Sequence, residues 1–337
     1  CRPMAFPVTL DASGLAAGGT GRAAFVRGIG AACRDAGFLL LKNHGIPAAL
    51  WTAVLADAEK FFCQTAAEKE RLHIRHFANH RGFSQMNNSR DWREQLHFAA
   101  EWPEGAWSEG RPDHYRLAGA NPWPDAAFAA TVLQYMEAVQ VLGFRLLAAL
   151  GESLGLPDRH AESLSAEPPY LLLKLICYHA RPGGAPRSGV AAHCDWSWIT
   201  ILLQDSTGGL EVQDRNGDWW PVPPQPGILA VNVGELLEIL SRGYFRAAPH
   251  RVISPTTRDR VSVPAFINPP LDARIEPLTM APGIVGPLVP EKEHIHRVVP
   301  RGATCEPFVF GESEWRRKGL GVWCHDAECL GFRGQYT

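Results

Sequence analysis

The chain has no C-x-x-C pair, no internal repeat, no low-complexity tract and no excess of charge of either sign. Its eight cysteines (1, 33, 63, 177, 194, 305, 324 and 329) are scattered. A chain of 337 residues is too large to need a disulfide framework, so they read as reduced thiols in a cytoplasmic protein. The formal charge of -2 offers no basic excess, and there is neither a basic stripe nor a base-stacking pattern, so no nucleic-acid partner is expected. A bilayer span wants about 20 predominantly apolar residues. The longest apolar stretch, residues 131–154, is broken by Glu137, Gln140 and Arg145 and reads as an amphipathic core helix, with no membrane implied. The opening CRPMAFPVTLDAS lacks the apolar segment of a secretory leader. These absences leave a small-molecule partner as the expectation, and a monomer is compatible with them.

What is present is core-forming material: 46% of residues are hydrophobic and 20% charged. Phe25, Ile29 and Cys33 at helical spacing predict a helix over residues 24–36, ended by Gly37 and followed by a strand, FLLLK, and a turn, NHGIP. A second helix is expected over residues 48–63. Thr65 with Glu68 three residues on is a capping-box signature for a third. From residue 77 to 124 periodicity is poor and Asn, Arg, Gly, Pro and Trp are frequent, which reads as surface loops or a cleft wall. Residues 170–268 then change character, with YLLLKLICY, WITILLQD, GGLEVQD, DWWPVP, GILAVNV and VSVPAFI as short β-rich runs. Asn216-Gly217 between two of them is a hairpin signal. The expected fold is α+β, a jelly-roll sandwich or barrel with the N-terminal helices packed outside it.

In AAHCDWSWITILLQD, His193 and Asp195 lie two residues apart just ahead of a strand-like run. With 13 histidines and 35 acidic residues, H-x-D or H-x-E arises roughly once by chance. His160-Ala-Glu162 is such a pair, polar and with no strand after it, and reads as a solvated surface pair. His193 and Asp195 have better company, because alternate residues of an extended chain face one side and reach one ion together. His250, opening the run in APHRVIS, is the candidate third ligand. Two imidazoles and a carboxylate make a facial set that suits Fe(II) and leaves positions open for a co-substrate and O2. The imidazoles must be neutral to bind, so metal affinity is expected to fall below about pH 6.

Arg260 and Ser262, in RDRVSVPAF, set a guanidinium and a hydroxyl in an apolar run, which suits capture of a carboxylate. The plainer alternative is an ion pair of Arg260 with Asp259 or Asp205. Cys194 should face away from the ligands, and Glu235 and Glu238 in GELLEILS are expected to be solvated or structural. Trp196, Trp198 and Phe266 are candidate substrate contacts. Arg93, among the charges of SRDWREQLHF that otherwise read as an exposed face, is a candidate second anion anchor.

The ordered run of H-x-D, TILLQDSTGGLEV, PVPPQPGILAVNVGELLEILSRGYF, PHRV and R-V-S resembles the isopenicillin N synthase-like family of non-haem iron, 2-oxoglutarate-dependent dioxygenases. The N-terminal ACRDAGFLLLKNHGIP, KFF and RGF resemble that family's N-terminal region. The resemblance implies a distorted double-stranded β-helix, with His193, Asp195 and His250 holding Fe(II) and Arg260 and Ser262 holding the distal carboxylate of 2-oxoglutarate. It also implies Tyr178 as a further contact to that carboxylate. The chain departs from the pattern beside this tyrosine, where Ile176 and His179 replace the asparagine and proline of many members. An auxiliary co-substrate contact is therefore in doubt, and His179 reads as a surface residue.

The implied layout is an N-terminal dioxygenase region (1–125), a catalytic β-helix region with its preceding helix (126–285), and a C-terminal extension (286–337) that would serve as a lid, all in one unit. The implied reaction is oxidation of a small molecule, by hydroxylation, desaturation or cyclisation, with release of succinate and CO2. The rivals are an oxidative cyclase of the isopenicillin N synthase kind that does not use 2-oxoglutarate, and a non-catalytic ligand-binding barrel.

Overall fold

Alternation along the strands decides the architecture. The structure, a computed structural model, describes residues 6–88, 90–102, 110–156, 169–185, 187–278, 295–299 and 305–319. Its main sheet has the order β1 (Val8–Asp11), β2 (Phe38–Lys42), β10 (Leu229–Val233), β7 (Ile199–Gln204), β12 (Arg260–Ile267), β5 (Leu172–Tyr178), β4 (Trp92–Ala99) and β3 (Gly82–Asn87). A second sheet runs β6 (Ser188–His193), β11 (His250–Ile253), β8 (Leu210–Gln213) and β9 (Trp219–Pro221). Two short strands, β13 (Arg274–Ile275) and β14 (Phe308–Val309), pair separately. The expected hairpin across Asn216-Gly217 is present as the β8–β9 pair, with Gly217 at positive φ.

One face of the main sheet carries Leu39, Leu41, Leu173, Leu175, Ile201, Leu203, Val231, Val261 and Val263, which join the large core under the helices. The alternate residues, Phe38, Leu40, Ile176, Tyr178 and Ala230, pack instead with Val190, Leu210, Val212 and Val252 of the second sheet. Each strand thus serves two compartments, and a slip of one residue would exchange them. This is the double-stranded β-helix, with helices on its outside.

Those helices are α1 (Gly19–Asp35), α2 (Ala48–Phe62), α3 (Ala66–Glu70) and α4 (Ala126–Ser153). The capping box at Thr65 is formed with both of its hydrogen bonds. In length and composition α4 is apolar enough to cross a membrane, yet it packs against α1, α2, β7 and β12. Gly143 lets it come close, since a Cβ there would stand 2.7 Å from Ile267. The two further helices are α5 (Glu235–Leu240) and α6 (Phe310–Gly319).

The stretch read as loops contains the β3–β4 hairpin, which extends the main sheet beside β5. Its strands are short of apolar alternation because Arg93 lines a cavity and Glu94 and Gln95 make polar contacts, while Phe83, Leu96 and Phe98 join the core. The first 125 residues therefore share one sheet with the catalytic strands. The pair His160 and Glu162 lies outside the described residues.

Candidate functional site

Between the sheets lies a cavity of about 420 Å³, within the usual range for small-molecule sites. Its wall follows from register. Lys174, Ile176 and Tyr178 of β5 stand across from Pro264, Ser262 and Arg260 of β12, and Ser262, Pro264 and Phe266 stand across from Gln204, Leu202 and Thr200 of β7. Of the second sheet, His193, His250, Val252 and Leu210 close the opposite side.

His193 ends β6 and His250 begins β11, directly across the ladder from it, with ring centroids 4.3 Å apart. The Nε2 atoms of His193 and His250 lie 3.5 and 3.6 Å from the two oxygens of Asp195. Each imidazole has its Nδ1 on a carbonyl two residues back, Ala191 at 2.9 Å and Ala248 at 3.1 Å. Donation there leaves the Nε2 lone pairs free and aimed at a common point. Asp195 is fixed by the Nδ2 of Asn232 at 2.8 Å, and its backbone carbonyl accepts from Glu235 at 2.7 Å. The loop between Asp195 and β7 can sit against the start of α5 because residue 234 is glycine; a Cβ there would be 2.2 Å from the Ser197 carbonyl. These three side chains offer donors within 4.8 Å of one another, a fit for one octahedral ion with a free face.

Electrostatics ties the three together. Burial alone would raise the Asp195 pKa, but the His250 charge and hydrogen bonds from both imidazoles hold it well below the carboxylate range. Burial and the His250 charge lower His193. Burial also works against protonation of His250, but the Asp195 carboxylate outweighs it and the pKa is raised.

Arg260 is wholly buried. Its Nη2 donates to Gln204 Oε1 at 2.8 Å and its guanidinium lies 4.9 Å from the Tyr178 ring, while Nε and Nη1 have no partner. The alternative ion pairs are not made. Asp205 accepts from Thr207 and Val261, and Asp259 accepts from His179 and Ala180. A buried cation with two unanswered donors facing a cavity is a place for an anion. Ser262 is buried two residues along, across from Ile176, so the side chain replacing asparagine gives that corner an apolar wall.

Other expectations fare differently. Trp196 and Phe266 line the cavity, Trp196 stacked on Phe308, whereas Trp198 does not and packs in the core. Arg93 is on the wall, and it and Glu94 are buried, so SRDWREQLHF is not an exposed face. The cause is β4, which turns Arg93 to the cavity and the next residue, Glu94, to Lys69 and His179.

Glu235 and Glu238 are likewise buried, not solvated. Glu235 accepts from the backbone of Val298 and Val299, and Glu238 pairs with Arg297, so both pin residues 295–299 against the site. Burial pushes the Glu235 pKa up to about 7 against the pull of Arg297. Cys194 turns to Ala247 and Arg297. His179 is at the surface edge, outside the cavity, ion-paired with Asp259 at 2.8 Å and Glu94 at 3.3 Å. It forms a second cluster with Cys177 and Asp259. There the Cys177 sulfur and the Glu94 carboxylate push its pKa up to about 11, so a metal would have to compete with a firmly held proton.

Several wall residues escaped the sequence reading. Asn232 and Lys174 had a signal, each being a lone polar residue inside an apolar strand. Asn268, His296, Glu314 and Arg317 had none, because turns and α6 bring them in from the far end of the chain. Burial and the neighbouring charges of Arg93, Arg317 and Lys318 lower the Lys174 pKa to about 7.

Two family patterns match this chain. The 2OG-Fe(II) oxygenase superfamily covers residues 170–269, and the N-terminal region of the non-haem dioxygenase in morphine synthesis covers residues 8–126. Flavanone 3-dioxygenase 2 of Oryza sativa subsp. japonica is 34% identical over 263 residues, 74% of this chain and 70% of that protein. The 2-oxoglutarate-dependent dioxygenase citB of Monascus ruber is 33% identical over 269 residues, 74% and 79% of the two chains. The crystal structure of a 2OG-Fe(II) oxygenase family protein from Caulobacter crescentus superposes with a TM-score of 0.73 at 26% identity, over 93% of this chain and 98% of that one.

Proposed function

The chain belongs to the isopenicillin N synthase-like 2OG-Fe(II) oxygenase superfamily, and from that premise we propose that His193, Asp195 and His250 hold its iron while Arg260 and Ser262, beside Tyr178, hold the distal carboxylate of 2-oxoglutarate. The protein is an Fe(II)- and 2-oxoglutarate-dependent dioxygenase, an oxidoreductase. The observation that carries the residue assignment is the buried Arg260 guanidinium, with two donors unanswered, lining the same cavity as the three converging donors.

Bound there, ferrous iron with 2-oxoglutarate supplies oxidation of a substrate C–H bond by O2, coupled to formation of succinate and CO2. The chain's own work is positional. Ala191 and Ala248 fix the imidazole tautomers, and Asn232 holds Asp195 so that its carboxylate faces both histidines. Arg260 gives the co-substrate one orientation, and the cavity's apolar wall of Leu172, Ile176, Pro264 and Phe266 excludes water from the reacting end. Trp196, Phe266 and Arg93 are the substrate contacts in this reading. Residues 295–299 and α6, from the C-terminal extension, cover one side of the substrate. Cys33, Cys63, Cys177, Cys194 and Cys305, none in a disulfide among the described residues, support a reducing, cytoplasmic setting.

The test is succinate release on admitting O2 to protein loaded anaerobically with Fe(II) and 2-oxoglutarate. Slow substrate-free release that requires iron and is lost in His250→Ala is expected. Iron binding without any succinate, even with a broad substrate mixture, would count against the 2-oxoglutarate assignment and favour a cyclase.

A further inference from the structure

The cavity carries more positive charge than the iron and the co-substrate answer. Its wall holds five cationic side chains, Arg90, Arg93, Lys174, Arg260 and Arg317, and three anionic ones, Asp91, Asp195 and Glu314. Fe(II) and the 2-oxoglutarate dianion cancel each other, so two positive charges remain over with Lys174 protonated and one with it neutral. Arg260 and Asp195 belong to the reacting end, which places the excess on the side formed by β4, β5 and α6.

There the cations are poorly partnered. Arg93 is 4% exposed and makes one ion pair, Nη1 with Asp91 at 3.2 Å. Its Nη2 reaches only the Met86 sulfur at 3.5 Å, and its Nε has no partner. Lys174 has its ammonium 5.2 Å from the Phe266 ring centroid and no carboxylate within ion-pair distance among the described residues. The nearest acid on that side, Glu314, is committed to Arg317 at 2.8 Å and Lys318 at 3.5 Å. A cation kept from water without a counter-ion is held at a cost in free energy. The low pKa of Lys174, about 7, is the same cost seen from the proton's side.

Resting on the function proposed above, we propose that the substrate is a carboxylic acid with an apolar body, and that its carboxylate lies between Lys174, which stands across from His97, and Arg93, four residues from His97 on the same face of β4. The guanidinium of Arg93 presents its free Nε edge and the Lys174 ammonium supplies a second charge. Phe266, Leu172, Pro264 and Trp196 receive the apolar part. The carboxylate directs the substrate: it sets which carbon of the body lies over the iron, so Arg93 and Lys174 determine regiochemistry as well as affinity.

The experiment uses anaerobic protein loaded with Fe(II) and 2-oxoglutarate, titrated calorimetrically with 3-phenylpropanoate and, separately, with its neutral isostere 3-phenylpropanamide. The acid is expected to bind at least about tenfold tighter than the amide. Lys174→Gln and Arg93→Gln should each erase most of that preference while amide binding persists, and Arg93→Lys should restore part of it. Equal binding of acid and amide, no binding of either, or a preference that survives both variants overturns the proposal. So does displacement of 2-oxoglutarate by the acid, which would place it on Arg260. The reading beneath it fails separately, and visibly, if the iron-loaded parent does not bind 2-oxoglutarate at all.

Discussion

On one side of the cavity His193 and His250 commit Nδ1 to a backbone carbonyl two residues back and Asp195 accepts from Asn232, so three donors are fixed before an ion arrives. On the β4–β5 side Arg93 and Lys174 carry two charges with one carboxylate, Asp91, in contact with either. The first side is arranged to hold one kind of ion in one geometry. The second has the charge for an anion but a looser set of donors, tied to a flexible lysine and a sulfur contact. The same alternation of strand residues builds both, and the difference lies in how many hydrogen bonds brace each side chain. A braced wall fixes the reaction; an unbraced one is free to differ between relatives that share it.

The comparison is broken most severely by exchanging the buried cation of the co-substrate end for an apolar side chain. Arg260→Met removes the buried partner of a carboxylate, a loss of about 2–5 kcal/mol, and should weaken 2-oxoglutarate at least about 30-fold in anaerobic titrations. Lys174→Met, a cation lost from the other side, should leave 2-oxoglutarate affinity within about threefold. Equal losses in the two variants would mean that the two sides are one anion site.

Next in size is the brace itself. Asn232→Leu keeps all three donors but removes the amide that holds Asp195, and outer partners of this kind are worth about 10–100-fold in metal affinity. Iron titration of the variant should show that loss, with 2-oxoglutarate still bound by the iron-loaded fraction. Unchanged iron affinity would make Asn232 a packing residue only.

How much of this was legible beforehand follows the same division. His193, Asp195, His250, Arg260 and Ser262 stand at or in apolar runs that follow one another in a recognisable order, and that order together with the family resemblance, not spacing alone, pointed to them. The strands of the β-helix were legible for the same reason, as apolar runs between turn signals. The hairpin β3–β4 was not, because Arg93, Glu94, Gln95 and His97 interrupt the apolar pattern by which strands are recognised, Arg93 facing the cavity and Glu94 pairing with Lys69. Glu235 and Glu238 were legible only as solvated or structural. They are structural, and the choice could not be made because residues 295–299, some sixty positions on, supply the backbone amides and Arg297 that bury them. Trp198 failed as a substrate contact since the chain turns between Asp195 and β7, and strict alternation no longer says which way a side chain points.

The smallest effect concerns protons. Iron and a proton compete for the Nε2 of each histidine, so affinity is level above the histidine pKa and falls about tenfold per pH unit below it for each proton displaced. Burial and the His250 charge depress His193, which is therefore neutral at pH 7 and costs nothing there. His250 differs. Although burial disfavours its charged form, Asp195 raises its pKa above the ordinary 6.5, so competition sets in above that value and not only below about pH 6 as the sequence suggests. Iron titrations should show a slope of one proton near neutrality, steepening toward two as His193 joins at lower pH. The β4–β5 side titrates in the opposite sense: Lys174, lowered to about 7, loses charge as pH rises, and an anion held there should weaken where iron is held best. A single proton lost from both functions at the same pH would erase this opposition, and with it the separation of the two sides.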